Sequence, residues 1–412
     1  MTQRLYYNDS FLYSFDARVL ETVEHQGRAA IVLDRTAFYP TSGGQVHDTG
    51  KLVMEAEREV PVSEVAEQEN GAIFHFIGGH FTGAPVAPGQ SIRGCIDPAR
   101  RRDHMQQHSG QHVLSAAFVR LWDAGTVSFH MGSESCTIDL AVNSLSAAQI
   151  AQAEQLANEV VTENRPVEIR FVSQDEARRL NLRKLPPKQA GDLRLIDITD
   201  FDLTACGGTH VRSTGQIGAI LVRKIENVKQ GIRLEFVCGL RAVNAARHDY
   251  ETLTEAASYL STHIRELPQQ IQKTLQETRA AGKAQQKLLE ELAELYAEQF
   301  LVKLPPGKGT VTAIFPDRDA AFIKLLAQKL TASRPDVVAL LASGADRPAV
   351  VFAQSPGMKF NMGSLLKEAM AKLGGRGGGS ADMAQGGLSA GALDVPLMRQ
   401  TFDGIVDKLE KL

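Results

Sequence analysis

Asp97-Pro-Ala-Arg-Arg-Arg-Asp-His-Met-Gln-Gln-His-Ser-Gly-Gln-His112 is where the chain changes character. Asp97 is suited to cap a helix, because its carboxylate can accept the free N–H groups of the first turn. Pro98 suits that turn, having no N–H to lose. The helix is expected to run through His104, His108 and His112 to about Trp122. Upstream, residues 29–33, 51–54, 72–76 and 91–96 read as short strands. Between the first two lies the turn-rich Pro40-Thr-Ser-Gly-Gly-Gln-Val-His-Asp-Thr-Gly50. Short strands with Gly and Pro punctuation predict a small barrel or sandwich.

Downstream, strand-like 135–140, a helix over 146–164, and strands over 194–198 and 217–226 predict an α+β domain. Leu253, Ala257, Leu260, Ile264 and Leu267 keep heptad spacing, as do Leu288, Leu292 and Leu295, with Pro268 between the two stretches. Pro is tolerated at a helix start and not inside one, so a helical hairpin is expected, paired with itself or with a second copy. The alternative is two amphipathic helices packed on a neighbouring domain. After a linker at 304–309, β and α patterns alternate through residue 373 and meet Gly374-Gly-Arg-Gly-Gly-Gly379. The fold class is therefore α+β multidomain, in four parts: a β-barrel (1–97), an α+β domain (98–241), a coiled-coil-like hairpin (242–303) and a small α/β domain (304–412).

The chain has 412 residues, with 45 Lys plus Arg against 48 Asp plus Glu, for a net charge of −3; 43% are hydrophobic. That composition excludes a disordered chain and a uniformly basic nucleic-acid binder. Four Cys make a disulfide scaffold a poor reading. No apolar run approaches a membrane span and the N-terminus has no signal-peptide core, so a cytoplasmic protein without a membrane partner is expected.

His108 and His112 are four apart on one helix face. Cys206-Gly-Gly-Thr-His210 offers a thiolate and an imidazole across a Gly-rich turn. Two His with Cys and His form a tetrahedral N/S set suited to Zn²⁺. His104 lies one turn earlier and is read as a positioning or RNA-facing residue. A zincin is excluded, because Ser109 stands where HExxH needs its Glu. A zinc deaminase is excluded, because neither HxE nor CxxC is present.

The 33–50 stretch resembles the opening motif of the editing region of alanyl-tRNA synthetases. His108-Ser-Gly-Gln-His112 and Cys206-Gly-Gly-Thr-His210 resemble its two zinc motifs. The 374–379 glycines with Asp382-Met-Ala-Gln-Gly-Gly387 resemble its DHH-associated C-terminal domain. The motifs follow family order, and no room precedes them for an aminoacylation core. The chain is thus similar to the free-standing AlaX-type editing proteins in their long form.

The resemblance implies a trans-editing hydrolase that clears mischarged tRNA(Ala), chiefly Ser-tRNA(Ala) with glycine as the second candidate, without aminoacylation. It implies Zn²⁺ held by His108, His112, Cys206 and His210. Substrate recognition falls to Gln45, Thr36, Gly43 and Gly44, with Thr126 and Ser128 as weaker candidates, and tRNA contact to Arg376, Gly375, Gly377 and Gly378. Whether the metal acts in chemistry or positioning stays open, as does the general base. A homodimer through the hairpin or the C-terminal domain is expected. The competing function is a zinc-stabilised tRNA-binding module without catalysis. Serine is alanine plus a hydroxyl, which a synthetic pocket rejects poorly and a hydrogen-bonding site can recognise well. Arg165 to Lys188 and Arg100 to Arg102 are basic stretches that could follow tRNA phosphates. Arg233 and Glu235 are read as a structural ion pair.

Overall fold

The computed structural model describes residues 2–54, 57–78, 86–183, 191–229, 231–305, 309–345, 347–388 and 393–411. The chain forms two compact units, Met1–Glu255 and Ala256–Leu412.

The first unit opens with a closed six-stranded barrel: β1 (Ser14–His25), β2 (Arg28–Leu33), β3 (Gly50–Val53), β4 (Glu59–Glu67), β5 (Ile73–Ile77) and β6 (Ser91–Ile96), closed in the order β1-β2-β5-β4-β3-β6. Alternation drives it: Phe15, Ala17 and Val19 point inward along β1 while their neighbours face water. β1 and β4 were not anticipated, because charged residues on their outer faces interrupt any apolar run.

Helix α1 (Pro98–Trp122) follows, with Asp97 accepting from the Ala99 and Arg100 amides. It packs on an antiparallel sheet of β7 (Thr126–Met131), β8 (Cys136–Leu140), β12 (Ile220–Val228) and β13 (Gly231–Cys238), in the order β12-β13-β8-β7, with α2 (Ala147–Thr162) alongside. Two devices hold α1 against β13. The Gln107 amide donates to the Cys238 carbonyl at 2.9 Å and accepts its N–H at 2.8 Å. At Gly110 a Cβ would lie 2.2 Å from Cys238 Sγ, so only glycine permits the approach. A separate antiparallel sheet, β9 (Val167–Val172), β10 (Leu193–Ile198) and β11 (Asp202–Ala205), delivers Cys206 at its end.

Barrel and α1 are joined by Arg101 and Asp48, both fully buried. Arg101 also donates to the Ser10 and Ala37 carbonyls at 2.7 and 2.6 Å, and Asp48 accepts the Tyr39 amide at 2.7 Å. Arg101 is therefore structural and takes no part in a basic surface. Helix α3 (Leu240–Tyr259) begins in this unit.

In the second unit, α4 (Leu267–Val302) carries Pro268 in its first turn. Its C-terminal half buries Ala293 and Ala297, with Leu289, Leu292, Tyr296 and Phe300 beside them, against α5 (Ala320–Ser333). Leu288 and Leu295 of the expected heptad are 65% and 57% exposed. The stripe in use keeps Leu292, replaces Leu288 and Leu295 with Leu289, Ala293 and Tyr296, and faces this domain's core. The sheet runs β14 (Gly309–Phe315), β15 (Val337–Ser343), β16 (Ala349–Gln354), β18 (Met383–Gly387), β17 (Arg376–Gly379). The glycine run is thus not a loop but an edge strand paired with β18, packed under α6 (Met362–Leu373). A closing helix, α7 (Val395–Lys411), had not been anticipated. Among the described residues no helix is long and apolar enough to cross a membrane.

Candidate metal centre

α1 projects His108 and His112 from one face, and the turn after β11 brings Cys206 and His210 to meet them. One ligand atom from each lies within 4.8 Å of all the others. His108 Nε2 and His210 Nε2 stand 3.4 and 3.3 Å from Cys206 Sγ. Gly208 makes this possible: a Cβ there would lie 2.1 Å from the His108 ring. His104 is not part of the cluster. It is 1% exposed, so it cannot face RNA.

With Nε2 atoms turned inward, each Nδ1–H needs an acceptor; His108 and His210 have one at hydrogen-bond distance, while His112 Nδ1 has no hydrogen-bond partner and only a carboxylate facing it. His108 Nδ1 lies 2.7 Å from Gln45 Oε1. His210 Nδ1 lies 3.1 Å from Ser109 Oγ, which also accepts the Val211 amide at 3.1 Å. His112 Nδ1 lies 3.5 Å from Asp202 Oδ2, a buried carboxylate held from its other side by Arg183 at 2.7 and 3.0 Å. Such partners set tautomer and ring orientation.

Electrostatics agree with cation binding. Burial raises the Cys206 thiol, but the adjoining His108 and His210 rings outweigh this and hold it well below the usual thiol range. Burial lowers His210 to about 3, keeping it neutral. Burial also opposes charge on His112, but bonds to Asp202 and Cys206 raise it. Three imidazoles and one thiolate on converging atoms fit the tetrahedral N/S preference of Zn²⁺.

Gln45 is fully buried. Beyond His108, its Oε1 accepts the Thr209 amide at 3.1 Å and its Nε2 donates to Thr209 Oγ1 at 2.8 Å. Its amide is engaged by the protein on both sides. Gly43 and Gly44 form a two-residue hairpin turn between Ser42 and Gln45, with φ of +57° and +84°. Positive φ at both positions selects glycine. Gly44 also passes so close to β7 that a Cβ would lie 2.4 Å from the Phe129 carbonyl. Thr36 sits inside the barrel, 2.8 Å from His75 Nε2 and accepting the Phe38 amide. A cavity of about 440 Å³ opens beside the ligands, and Gly43, Gln111, Thr126, Ser128, Arg183 and Thr204 contribute to its wall.

Elsewhere, Arg233 pairs with Asp139 at 2.7 and 2.9 Å, and not with Glu235. Within the basic stretch, Arg165, Arg170, Arg178 and Arg183 each pair with a carboxylate, while Lys184 and Lys188 lie outside the described residues. Arg376 is exposed on β17 in the second unit. Gly375 and Gly377 face inward there: a Cβ would lie 2.2 Å from Met370 Cε at Gly375 and 2.5 Å from Gly386 Cα at Gly377. Gly378 has open space. Ser109, Thr209, Asp202, Arg183, Gln111 and Thr204 were missed by sequence reading. Ser109, Gln111 and Thr209 lie inside the motifs and were open to notice, whereas Asp202 carries no sequence signal.

Three family models match: tRNA synthetases class II (A) over residues 3–100, the threonyl and alanyl tRNA synthetase second additional domain over 193–234, and the DHHA1 domain over 307–408. The alanyl-tRNA editing protein AlaX-L of Pyrococcus horikoshii is 29% identical over 412 residues, covering 99% of this chain and 98% of that protein. The alanine–tRNA ligases of Pyrococcus abyssi and Pyrococcus furiosus are 31% and 36% identical, and the chain spans only 44% and 32% of their lengths. The C-Ala domain of Aquifex aeolicus alanyl-tRNA synthetase matches at 28% identity, covering 23% of this chain and 88% of that one, with a TM-score of 0.21. Similarity runs from end to end of an editing protein and through less than half of each ligase: the chain is similar over its whole length to an AlaX-type alanyl-tRNA editing protein, and over part of theirs to alanine–tRNA ligases.

Proposed function

We propose that the chain is a cytoplasmic trans-editing hydrolase that deacylates mischarged tRNA(Ala), chiefly Ser-tRNA(Ala), with Zn²⁺ at His108, His112, Cys206 and His210 and without aminoacylation. The observation that carries this is the convergence of four ligand atoms beside a 440 Å³ cavity. A cavity of that size suits an aminoacyl ester on a terminal ribose. In the reaction, water adds to the ester carbonyl and the ribose hydroxyl leaves with a proton. Bound Zn²⁺ would supply Lewis-acid polarisation or a fixed anchor at that carbonyl. Gln45, Ser109 and Asp202 orient the imidazoles, and Gly43 with Gly44 lets the barrel turn reach the cavity.

Contact with the tRNA body is assigned to exposed Arg376 and the neighbouring Gly375, Gly377 and Gly378; Gly375 spends its amide on the Met370 carbonyl, which leaves the edge strand from Arg376 onward to meet phosphate. A homodimer is supported by the exposed apolar residues of the helices, Val243, Tyr250 and Leu253 on α3 and Leu275 on α4. The second reading, a tRNA-binding module with structural zinc, is favoured by one observation: four protein ligands close a tetrahedral shell.

Incubation with seryl-, glycyl- and alanyl-tRNA(Ala), following amino-acid release, separates the two. Release of serine ahead of alanine is expected. Binding without serine release at any protein level would leave the module reading standing.

A further inference from the structure

The cavity wall holds several polar side chains, and most are already engaged. Gln45, behind His108 and not part of that wall, is bonded through both amide atoms. Ser128 donates to Asp139 at 2.7 Å. Thr126 donates to Ser115 at 2.7 Å. Arg183 is held on Asp202.

Two oxygens remain. Gln111 is 6% exposed, and its Nε2 donates to Ser115 Oγ at 2.8 Å. That bond fixes the amide and leaves Oε1 without a protein partner among the described residues. Thr204 is 3% exposed, and its hydroxyl has no partner among them either. Neither oxygen is among the sealed, unpaired atoms, and both residues line the cavity. Gln111 sits one residue before His112 and Thr204 two before Cys206, so both are anchored by the backbone that presents the metal ligands.

We propose that Gln111 and Thr204 recognise the side-chain hydroxyl of the aminoacyl group. This rests on the hydrolase reading above and names the residues that give it specificity. The Gln111 carbonyl accepts the substrate hydroxyl proton, and the Thr204 hydroxyl donates to the substrate oxygen. Serine satisfies both. The methyl of alanine fills the same space and leaves both oxygens unpaired and cut off from water, the arrangement in which discrimination is greatest. Glycine leaves room for a water that can bridge the two. Gln45, the residue the sequence favoured for this task, has no free atom for it.

The test uses the full-length protein as wild type, Gln111→Leu, Gln111→Glu and the isosteric Thr204→Val. kcat/KM is measured on seryl- and glycyl-tRNA(Ala), with bound zinc determined for each protein. Gln111→Leu is expected to lower the serine value about 10- to 100-fold, the effect of one unpaired hydrogen bond, with glycine changed less than about threefold. Thr204→Val should act in the same direction, and Gln111→Glu, which keeps an acceptor, should recover most of the serine activity. Zinc content should be unchanged throughout. Equal losses on serine and glycine, no loss in either variant, or loss of zinc from both would overturn the assignment. An active wild type with an unaltered serine-to-glycine ratio sinks this proposal alone; an inactive wild type sinks the hydrolase reading and this one with it.

Discussion

Two clusters of buried polar groups lie in the first unit, and they differ in one respect. At the barrel, every group is closed on a partner: Arg101 on Asp48 and two carbonyls, His75 between Thr36 Oγ1 and the Ile31 carbonyl. At the metal centre, the outer nitrogens of His108 and His210 have protein acceptors and that of His112 faces the Asp202 carboxylate, but the inner atoms of three imidazoles and a thiolate converge on one another, with the Gly208 amide on the sulfur. A closed network stabilises a fold, because no polar group is left unpaired. An open one is stable only with a further ligand. The same residue type thus closes a buried network at 75 and joins a group of candidate metal ligands at 108, and the difference lies in what the second ring nitrogen meets.

Breaking the closed cluster should cost the most. Arg101→Met leaves the Asp48 carboxylate buried without its partner and should destabilise the first unit by about 3–5 kcal/mol, read by denaturant unfolding. Acid should attack the same region through His75. Burial lowers its folded pKa from 6.5 to about 4. As pH falls through 6.5 the unfolded chain takes the proton first, so stability is complete above 6.5 and declines toward 4. The loss at pH 4 is on the order of 3 kcal/mol, and His75→Gln should remove that part of the pH dependence.

The open cluster should respond in metal affinity and not in folding. Asp202→Asn retains shape but removes the charge facing His112, and should weaken zinc about 10- to 100-fold in a chelator competition, with unfolding little changed. An unchanged affinity would show that Asp202 serves Arg183 alone. The smallest effect belongs to a surface pair: Arg233→Ala, which frees the exposed partner of Asp139, should shift stability by less than about 1 kcal/mol. A larger change would mean that the paired strands depend on it.

The legible parts were those written in contiguous residues. Asp97 and Pro98 announce α1, and Pro268 announces α4, because caps and first turns are local. The four ligand candidates were legible because each pair spans one helical or loop turn. The strand Ser14–His25 was not legible, since its outward residues are charged. The glycine strand Arg376–Gly379 was hidden for another reason: glycine has no strand preference, and pairing with Met383–Gly387 alone makes it one.

What the sequence by itself determined is the chemistry available: two motifs able to grip one cation, on a chain with family likeness along its length. What only the tertiary structure decided is which neighbour each group meets. Gln45 turned from the favoured substrate reader into the holder of His108, and Asp202 became the partner of His112. Gln111 and Thr204 emerged with oxygens unengaged. Those outcomes depend on side chains far apart in the chain meeting within about 3 Å, and hydrogen bonds act only at that range.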